Sequence, residues 1–397
     1  MLPLAAALAA AGHRVTALAL SGRRNPPYEG MADQTGVAVR TVGPSLRATE
    51  TNSPPVWTTV SRFLHGHWAL RKALARTTAD AVILAKPQVQ NTGPAIQYAR
   101  VTGVPLIVDT DDIEAYASRL PGPLRLYAAA LERRAVRSAQ LVTACSPFLA
   151  ERAKRQNTLA RVEFLPTGIH VPSHIPKRAL RENLGLSPCA RILLYVGSLS
   201  RPSGHRVDIL LDAFHRVLET RPSDTERHGP DIHLALAGDG IDLDLLRAHA
   251  RSLPLIAGRV HFLGAFTPPE DIALAREADL LVDPVDTRMV NEAKSSHRMM
   301  LALVTGTPIV AGNVGIRPHL LPPDLHADCL YDPSSLTDFV RALTRALTPE
   351  FREEFRRGVS EGSDRWLWST MGPAFVRLVE ETVRAWTEQR RDHAPAR

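Results

Sequence analysis

The chain has 397 residues, 44% hydrophobic and 22% charged, which is too long for one ordinary core and reads as two globular domains. Its net charge of +7 comes with arginine far outnumbering lysine and only 5% aromatic residues. With no basic run interleaved with aromatics, that balance reads as GC-rich coding and argues against nucleic acid as a partner. Cys145, Cys189 and Cys329 are too few and too scattered for a disulfide framework and fit a reducing, cytoplasmic setting.

The opening MLPLAAALAAAGHRV has no basic n-region and runs straight into VTALAL, so it reads as helix, turn and strand and not as a signal peptide. Short apolar runs then follow at VTALAL (15–20), VAVRTV (37–42), AVILA (81–85), PLIVDT (105–110), LVTACS (141–146) and VEFLP (162–166). Segments with helical spacing, such as GPAIQYARVTG and LYAAALERRAVRSA, separate them. Unalternating apolar strands between helices predict a parallel sheet covered on both faces, a doubly wound α/β domain. Within it, WTTVSRFLHGHWALRKALAR (57–76) sets Trp57, Phe63 and Trp68 among Arg62, Arg71, Lys72 and Arg76. A peripheral membrane contact is one reading; the simpler one is an amphipathic helix with its apolar side in the core. No apolar run reaches the roughly 18 residues of a membrane span.

VPSHIPKRALRENLGLSP (171–188) breaks the rhythm and predicts a linker. The alternation restarts with ILLYVG, DILLDAFHRVLET, HLALAG, DLLRAHARSL, RVHFLG, DLLVDP, a helix over 294–305, PIVAG and CLYD. The division predicted is 1–172 for the first domain, 173–188 for the linker, 189–348 for the second domain and 349–397 for a helical tail anchored by Trp366, Trp368 and Trp386. Two such domains facing each other bring their strand C-termini to one cleft, where ligands of these folds bind.

Three patterns point to a site. Gly197, Gly238, Gly264, Gly312 and Gly315 each follow an apolar run, where glycine permits tight turns or close approach to a phosphate. KSSHR at 294–298 opens a helix with basic and hydroxyl side chains, a start suited to an anion or equally to an N-capping serine. VDTDDIE places Asp109, Asp111 and Asp112 at a strand end, where carboxylates orient a hydroxyl or accept its proton, or simply complement a helix dipole.

The order YVGSLS, LLDAF, LALAGDG, RVHFLG, EADLLVDPV, KSSHRMMLALVTGTPIVAGNVG resembles family 4 glycosyltransferases, two-domain proteins of the GT-B fold. AAGHRVTALAL, GVPLIVDTDDIE, LVTACSPFLAERA and RVEFLPTGIHV in the first half are similar to family segments in the same order. The resemblance implies transfer of a sugar from a nucleotide-sugar donor to a hydroxyl of a glycan or glycolipid acceptor, retaining anomeric configuration, without a bound metal or other cofactor. It implies Asp109, Asp112 and Lys294 as catalytic residues. Gly197, Ser198, Arg201, His205, Arg206, Gly238, Ser295, Ser296 and Arg298 would bind the donor, so that replacing Lys294 and Arg298 together abolishes donor binding in a folded protein. Departures from the pattern are clear: the family's phosphate-binding arginine falls at Ser198, its two glutamates at Ala293 and Leu301, with Glu292 one place off, and its Asn-Gly-Val-Asp at Thr167-Gly168-Ile169-His170. Family members also begin with a strand and glycine-rich loop ahead of the first helix, so a strand is expected to belong upstream, with exposed strand edges beside its place. Two rivals stand beside this reading: a non-catalytic GT-B partner in an assembly complex, for which Ala293, Leu301 and Ser198 argue, and, ranked last because the motif order fits family 4 better, a nucleotide-sugar 2-epimerase of the same fold.

Overall fold

The apolar runs form parallel strands, because the helices described between them carry the chain back to the end of the sheet where the strands start. The computed structural model describes residues 2–21, 35–44, 56–117, 122–175, 179–220, 231–359 and 363–392. The chain forms two units, one of Met1–Pro166 with Trp368–Arg397, the other of Thr167–Leu367.

The first unit runs α1 (Leu2–Ala10), β1 (Thr16–Ser21), β2 (Ala38–Pro44), α2 (Val56–Leu74), β3 (Val82–Ala85), α3 (Thr92–Thr102), β4 (Leu106–Thr110), a short helix Glu114–Ala117, α4 (Gly122–Ser138), β5 (Leu141–Ala144), α5 (Pro147–Gln156) and β6 (Arg161–Phe164). In place of one continuous sheet, the described residues form a pair, β1–β2, and a four-stranded sheet in the order β3-β4-β5-β6. Among the described residues the two sheets are not joined by a strand.

Leu4 and Leu8 of α1 are buried with Ile107, Leu141 and three residues of the chain's last helix, Phe375, Val376 and Val379. The 349–397 segment is therefore not one tail. One helix, Pro349–Val359, buries Phe351 and Phe355 in the second unit, whereas Trp368–Asp392 completes the first. Trp386 Nε1 donates to the Gly103 carbonyl at 2.9 Å, Trp368 is partly buried on the first unit's core, and Trp366 is buried in the second.

The inner face of α2 is fixed by a close approach. Gln90 Nε2 donates to the carbonyls of Pro44 and Arg62, each at 3.0 Å, in the space a Cβ on Gly66 would fill. Leu70 is buried on the same side. Trp57, Val60, Leu64 and Trp68 consequently point outward and are exposed, contrary to the simpler expectation of an apolar side turned to the core.

In the second unit, β7 (Arg191–Val196), α6 (Val207–Glu219), β8 (Ile232–Ala237), α7 (Leu243–Ser252), β9 (Val260–Gly264), α8 (Glu270–Glu277), β10 (Leu280–Asp283), α9 (Met289–Ala293), α10 (His297–Thr305), β11 (Ile309–Gly312), β12 (Leu330–Tyr331), α11 (Leu336–Ala346) and α12 (Pro349–Val359) follow in order. The sheet order is β12-β11-β10-β7-β8-β9. Strand order reverses between β7 and β10, so the segments leaving their C-terminal ends diverge and leave space between them. The last helix is α13 (Trp368–Asp392). Part of the predicted linker belongs to this unit: Leu180 is buried in its core, and Glu277 accepts from the Ala179 and Leu180 N–H groups.

Candidate active site

Every element around the β7–β10 switch point is tied to one buried carboxylate. Asp283, at the end of β10, has no solvent exposure. It accepts from Ser296 Oγ at 2.6 Å, Arg298 Nε at 2.7 Å and Arg317 Nε at 2.7 Å. The two guanidinium groups and these hydrogen bonds outweigh the burial that opposes them and hold the Asp283 carboxyl well below the usual carboxylate range.

Arg298 spends its remaining nitrogens in the same place. Nη1 donates to the Val196 carbonyl at 2.9 Å, Nη2 donates to His205 Nδ1 at 3.0 Å, and the guanidinium lies 4.7 Å from the centre of the Tyr195 ring. It is buried and charge-paired, so it supports the floor and does not present its charge to a ligand. That corrects the expectation of a donor-binding arginine there, and removing it together with Lys294 would leave Asp283 short of a partner inside a core. Ser296 is likewise committed, capping α10 by accepting from the Met299 N–H at 3.3 Å while it donates to Asp283.

His205 accepts from Arg298 at Nδ1, which puts its own proton on Nε2. Burial, then Arg298 and Lys294, hold its pKa well below the ordinary imidazole value. His205 is thus a neutral imidazole with its N–H at Nε2.

Above this floor, residues 201–206 and 286–294 are laced together. Asn291 Nδ2 donates to the Gly204 carbonyl at 3.0 Å and to Asp286 Oδ1 at 2.8 Å, Arg288 Nη2 donates to the Arg201 carbonyl, and Lys294 Nζ donates to the Ser203 carbonyl. The result is an open pocket of about 580 Å³ lined by Arg201, Pro202, Arg206, Asp242, Asp286 and Arg288. Each arginine is steadied by an aspartate: Arg201 by Asp242, Arg206 by Asp208, Arg288 by Asp286. Ser295 Oγ is buried without a hydrogen-bond partner among the described residues, a hydroxyl within the same segment. Such a site offers many N–H and O–H donors and suits a ligand rich in anionic oxygens.

The glycines serve packing before any ligand. A Cβ on Gly238, at φ +144, would meet the Gly197 carbonyl oxygen at 1.8 Å, and one on Gly197 would meet Arg298 Nη1 at 2.4 Å. Ser198 is exposed beyond them, its carbonyl accepting from Tyr195 Oη at 2.6 Å.

Asp109 and Asp112 lie in the first unit, and so belong to a different body from the pocket. Asp109 accepts from Thr143 Oγ1 at 2.6 Å; burial first, with Asp111 adding to it, raises its pKa against that hydrogen bond. Asp112 accepts from the Ile113 N–H, the helix-start role open to it from the sequence. Asp111 pairs with Lys86 Nζ at 2.7 Å. Lys86 sits at φ +51 just after β3, an uncommon conformation for a residue with a side chain, and it was not among the predicted site residues.

Two family models together span most of the chain: a glycosyl transferase 4-like domain matches residues 1–168 and glycosyl transferases group 1 matches residues 190–349. The chain belongs to the group 1 glycosyltransferases. No curated sequence matches it. Among solved structures, the group 1 glycosyltransferase is similar to sucrose-phosphate synthase from Thermosynechococcus elongatus, at 18% identity over 96% of this chain and 92% of that one, TM-score 0.71. It is similar to Anabaena HepE in complex with UDP-glucose, at 15% identity over 93% and 99%, TM-score 0.68. A structure titled as a UDP-N-acetylglucosamine 2-epimerase from Listeria monocytogenes also matches, at 13% identity over 96% and 92%, TM-score 0.58. These likenesses show the GT-B fold.

Sequence reasoning on this glycosyltransferase missed Asp283, Asp286, Arg288 and Arg317. Asp283 had a signal, an acid ending a fully apolar strand in EADLLVDPV, since a charge entering a core requires partners. Ala293 and Leu301, where the family carries glutamates, are fully buried, and Leu301 packs in the main core.

Proposed function

We propose that this glycosyltransferase takes its sugar from a nucleotide-sugar donor bound in the second unit and passes it to a hydroxyl of a glycan or glycolipid acceptor held by the first. In this reading transfer proceeds with retention and without a bound metal, in surface polysaccharide or glycolipid assembly, on the cytoplasmic side and in peripheral contact with the membrane. The observation that carries it is the pocket at the β7–β10 switch point, where Arg201, Arg206 and Arg288 stand beside Lys294 and the start of α10. A leaving diphosphate needs its developing charge matched by donors already in place, and these side chains, held by aspartates and backbone carbonyls, are in place before a ligand arrives. Lys294 has the leading electrostatic role, with Arg206 and the neutral His205 opposite it as hydrogen-bond donors. Asp109 and Asp112 would orient the acceptor hydroxyl. The relatives' titles are in keeping with this, one naming UDP-glucose as the bound molecule.

The test is thermal unfolding of the full chain against UDP-, GDP-, ADP- and dTDP-sugars. A ligand at one hundred times its dissociation constant adds about 2.7 kcal/mol of stability. The expected result is a shift with one nucleotide class, lost or much reduced in Lys294→Ala, which melts like the parent without ligand. No shift with any class, from a chain that melts cooperatively, would reject the donor site. It would then favour the second reading, a non-catalytic GT-B partner, for which the buried Ala293 and Leu301 speak. Conversion of donor without acceptor would point to the epimerase reading instead.

A further inference from the structure

The outer face of α2 is the least ordinary surface among the described residues. Trp57, Val60, Leu64 and Trp68 are 74%, 47%, 48% and 58% exposed. At 3.6 residues per turn they fall within an arc of roughly 80°, opposite Gly66 and Leu70. Because Gln90 and the close approach at Gly66 hold the inner face, a small rotation of the helix cannot hide the stripe. Isolated apolar residues on a surface need no explanation, but four in one row, two of them tryptophan, mark a contact surface.

The charge around the stripe identifies what it contacts. No aspartate or glutamate occurs between residues 56 and 79, a span that carries Arg62, Arg71, Lys72 and Arg76. Tyr127 of α4 meets Phe63 edge-on at 6.4 Å, and residues 115–131 around it are equally free of acids. Arg71 lies over the Trp68 ring at 5.0 Å, which places a cation at the end of the apolar row. An apolar stripe accompanied along its own helix and the turn after it by Arg71, Lys72 and Arg76, and by no acid of that span, is complementary to a surface that is negatively charged outside and apolar a few ångströms in. No helix among the described residues is long and apolar enough to cross a membrane, so α2 would lie along such a surface.

We propose that this face of α2 docks on a bilayer carrying anionic headgroups, with Trp57 and Trp68 inserted at headgroup depth and the basic side chains on the phosphates. The proposal gives a surface to the peripheral contact put forward above. Its test uses neither donor nor acceptor, so its failure would leave the donor reading standing.

The experiment is co-sedimentation of the full chain with vesicles of phosphatidylcholine alone and of phosphatidylcholine with about one third phosphatidylglycerol. Binding to the anionic vesicles should exceed binding to the neutral ones roughly tenfold or more and weaken in high salt. Trp57→Ala/Trp68→Ala should lose most of it, as should Arg71→Glu/Lys72→Glu, both with unchanged circular dichroism. Equal binding to both vesicles overturns the proposal, as does wild-type binding by either variant. Should a variant misfold, tryptophan quenching by brominated lipids in the unaltered chain decides, and absence of quenching is a negative result. A concentration-dependent dimer that the tryptophan variant abolishes would assign the stripe to a second copy and overturn the proposal as well.

Discussion

Glu132 lies in α4 with its side chain 6% exposed, one oxygen, Oε2, without a hydrogen-bond partner among the described residues, and Arg152 no nearer than 3.8 Å. Burial pushes its pKa up to about 7, Arg152 opposing and Glu114 and Asp112 adding to the rise. A folded-state value above the ordinary one means the folded chain holds the proton more tightly than the unfolded chain. The associated stability is present in full below about pH 4.5 and is lost as pH rises through about 7. Glu132→Gln keeps the neutral shape at every pH. Urea unfolding should therefore show the parent losing up to about 3 kcal/mol between pH 5 and 8 relative to this variant. Parallel pH profiles would remove Glu132 as the cause. The same scale explains which surroundings of the candidate residues could be read from the sequence and which could not. Lys294 could be picked out because lysine is scarce and a polar helix start is a local pattern. Arg298 could not be told from a ligand-facing arginine, since the aspartate that neutralises it stands fifteen residues earlier, at the end of β10.

Among elements, the sharpest constraint is the close passage of β7 and β8 at their C-terminal ends. Gly238 takes φ +144 with no room for a Cβ against the Gly197 carbonyl. Gly238→Ala should cost about 3 kcal/mol or prevent folding of the second unit, by strain and by forcing two neighbouring strands apart. Unchanged urea unfolding would show that the strand ends can yield. The strands themselves were readable because burial on both faces removes alternation, and ILLYV, LALA and LLVD are apolar at almost every position. The helix α2 was readable as a helix, but not by which side faces inward. Its inner anchor is Gly66 with Ala69 and Leu70 beside it, and hydrophobicity alone ranks glycine and alanine below tryptophan. The carbonyl-bound Gln90 that fixes it comes from a distant turn. Likewise, the split of the first unit's strands into two sheets depends on pairing partners, which no single run reveals.

For the whole molecule, the consequential feature is the return of the chain to its starting unit. A chain ending after Leu367 would keep every residue of the second unit and expose Leu4, Leu8, Ile107 and Leu141 on the first. Such a truncation should bind nucleotide sugar as the parent does, if the donor reading holds. Hydrogen exchange should show protection retained in β7–β12 and lost in β3–β6. Full protection of β4 and β5 without α13 would contradict this account. The return also sets an order of events at the ribosome. The second unit can close once residue 367 has emerged, whereas the first, whose opening segment ends at Pro166 some two hundred residues earlier, waits for α13. At roughly 5–20 residues per second that is a delay of about 10–40 s, during which the first unit holds an unfinished core. In this chain the first unit to start is the last to finish.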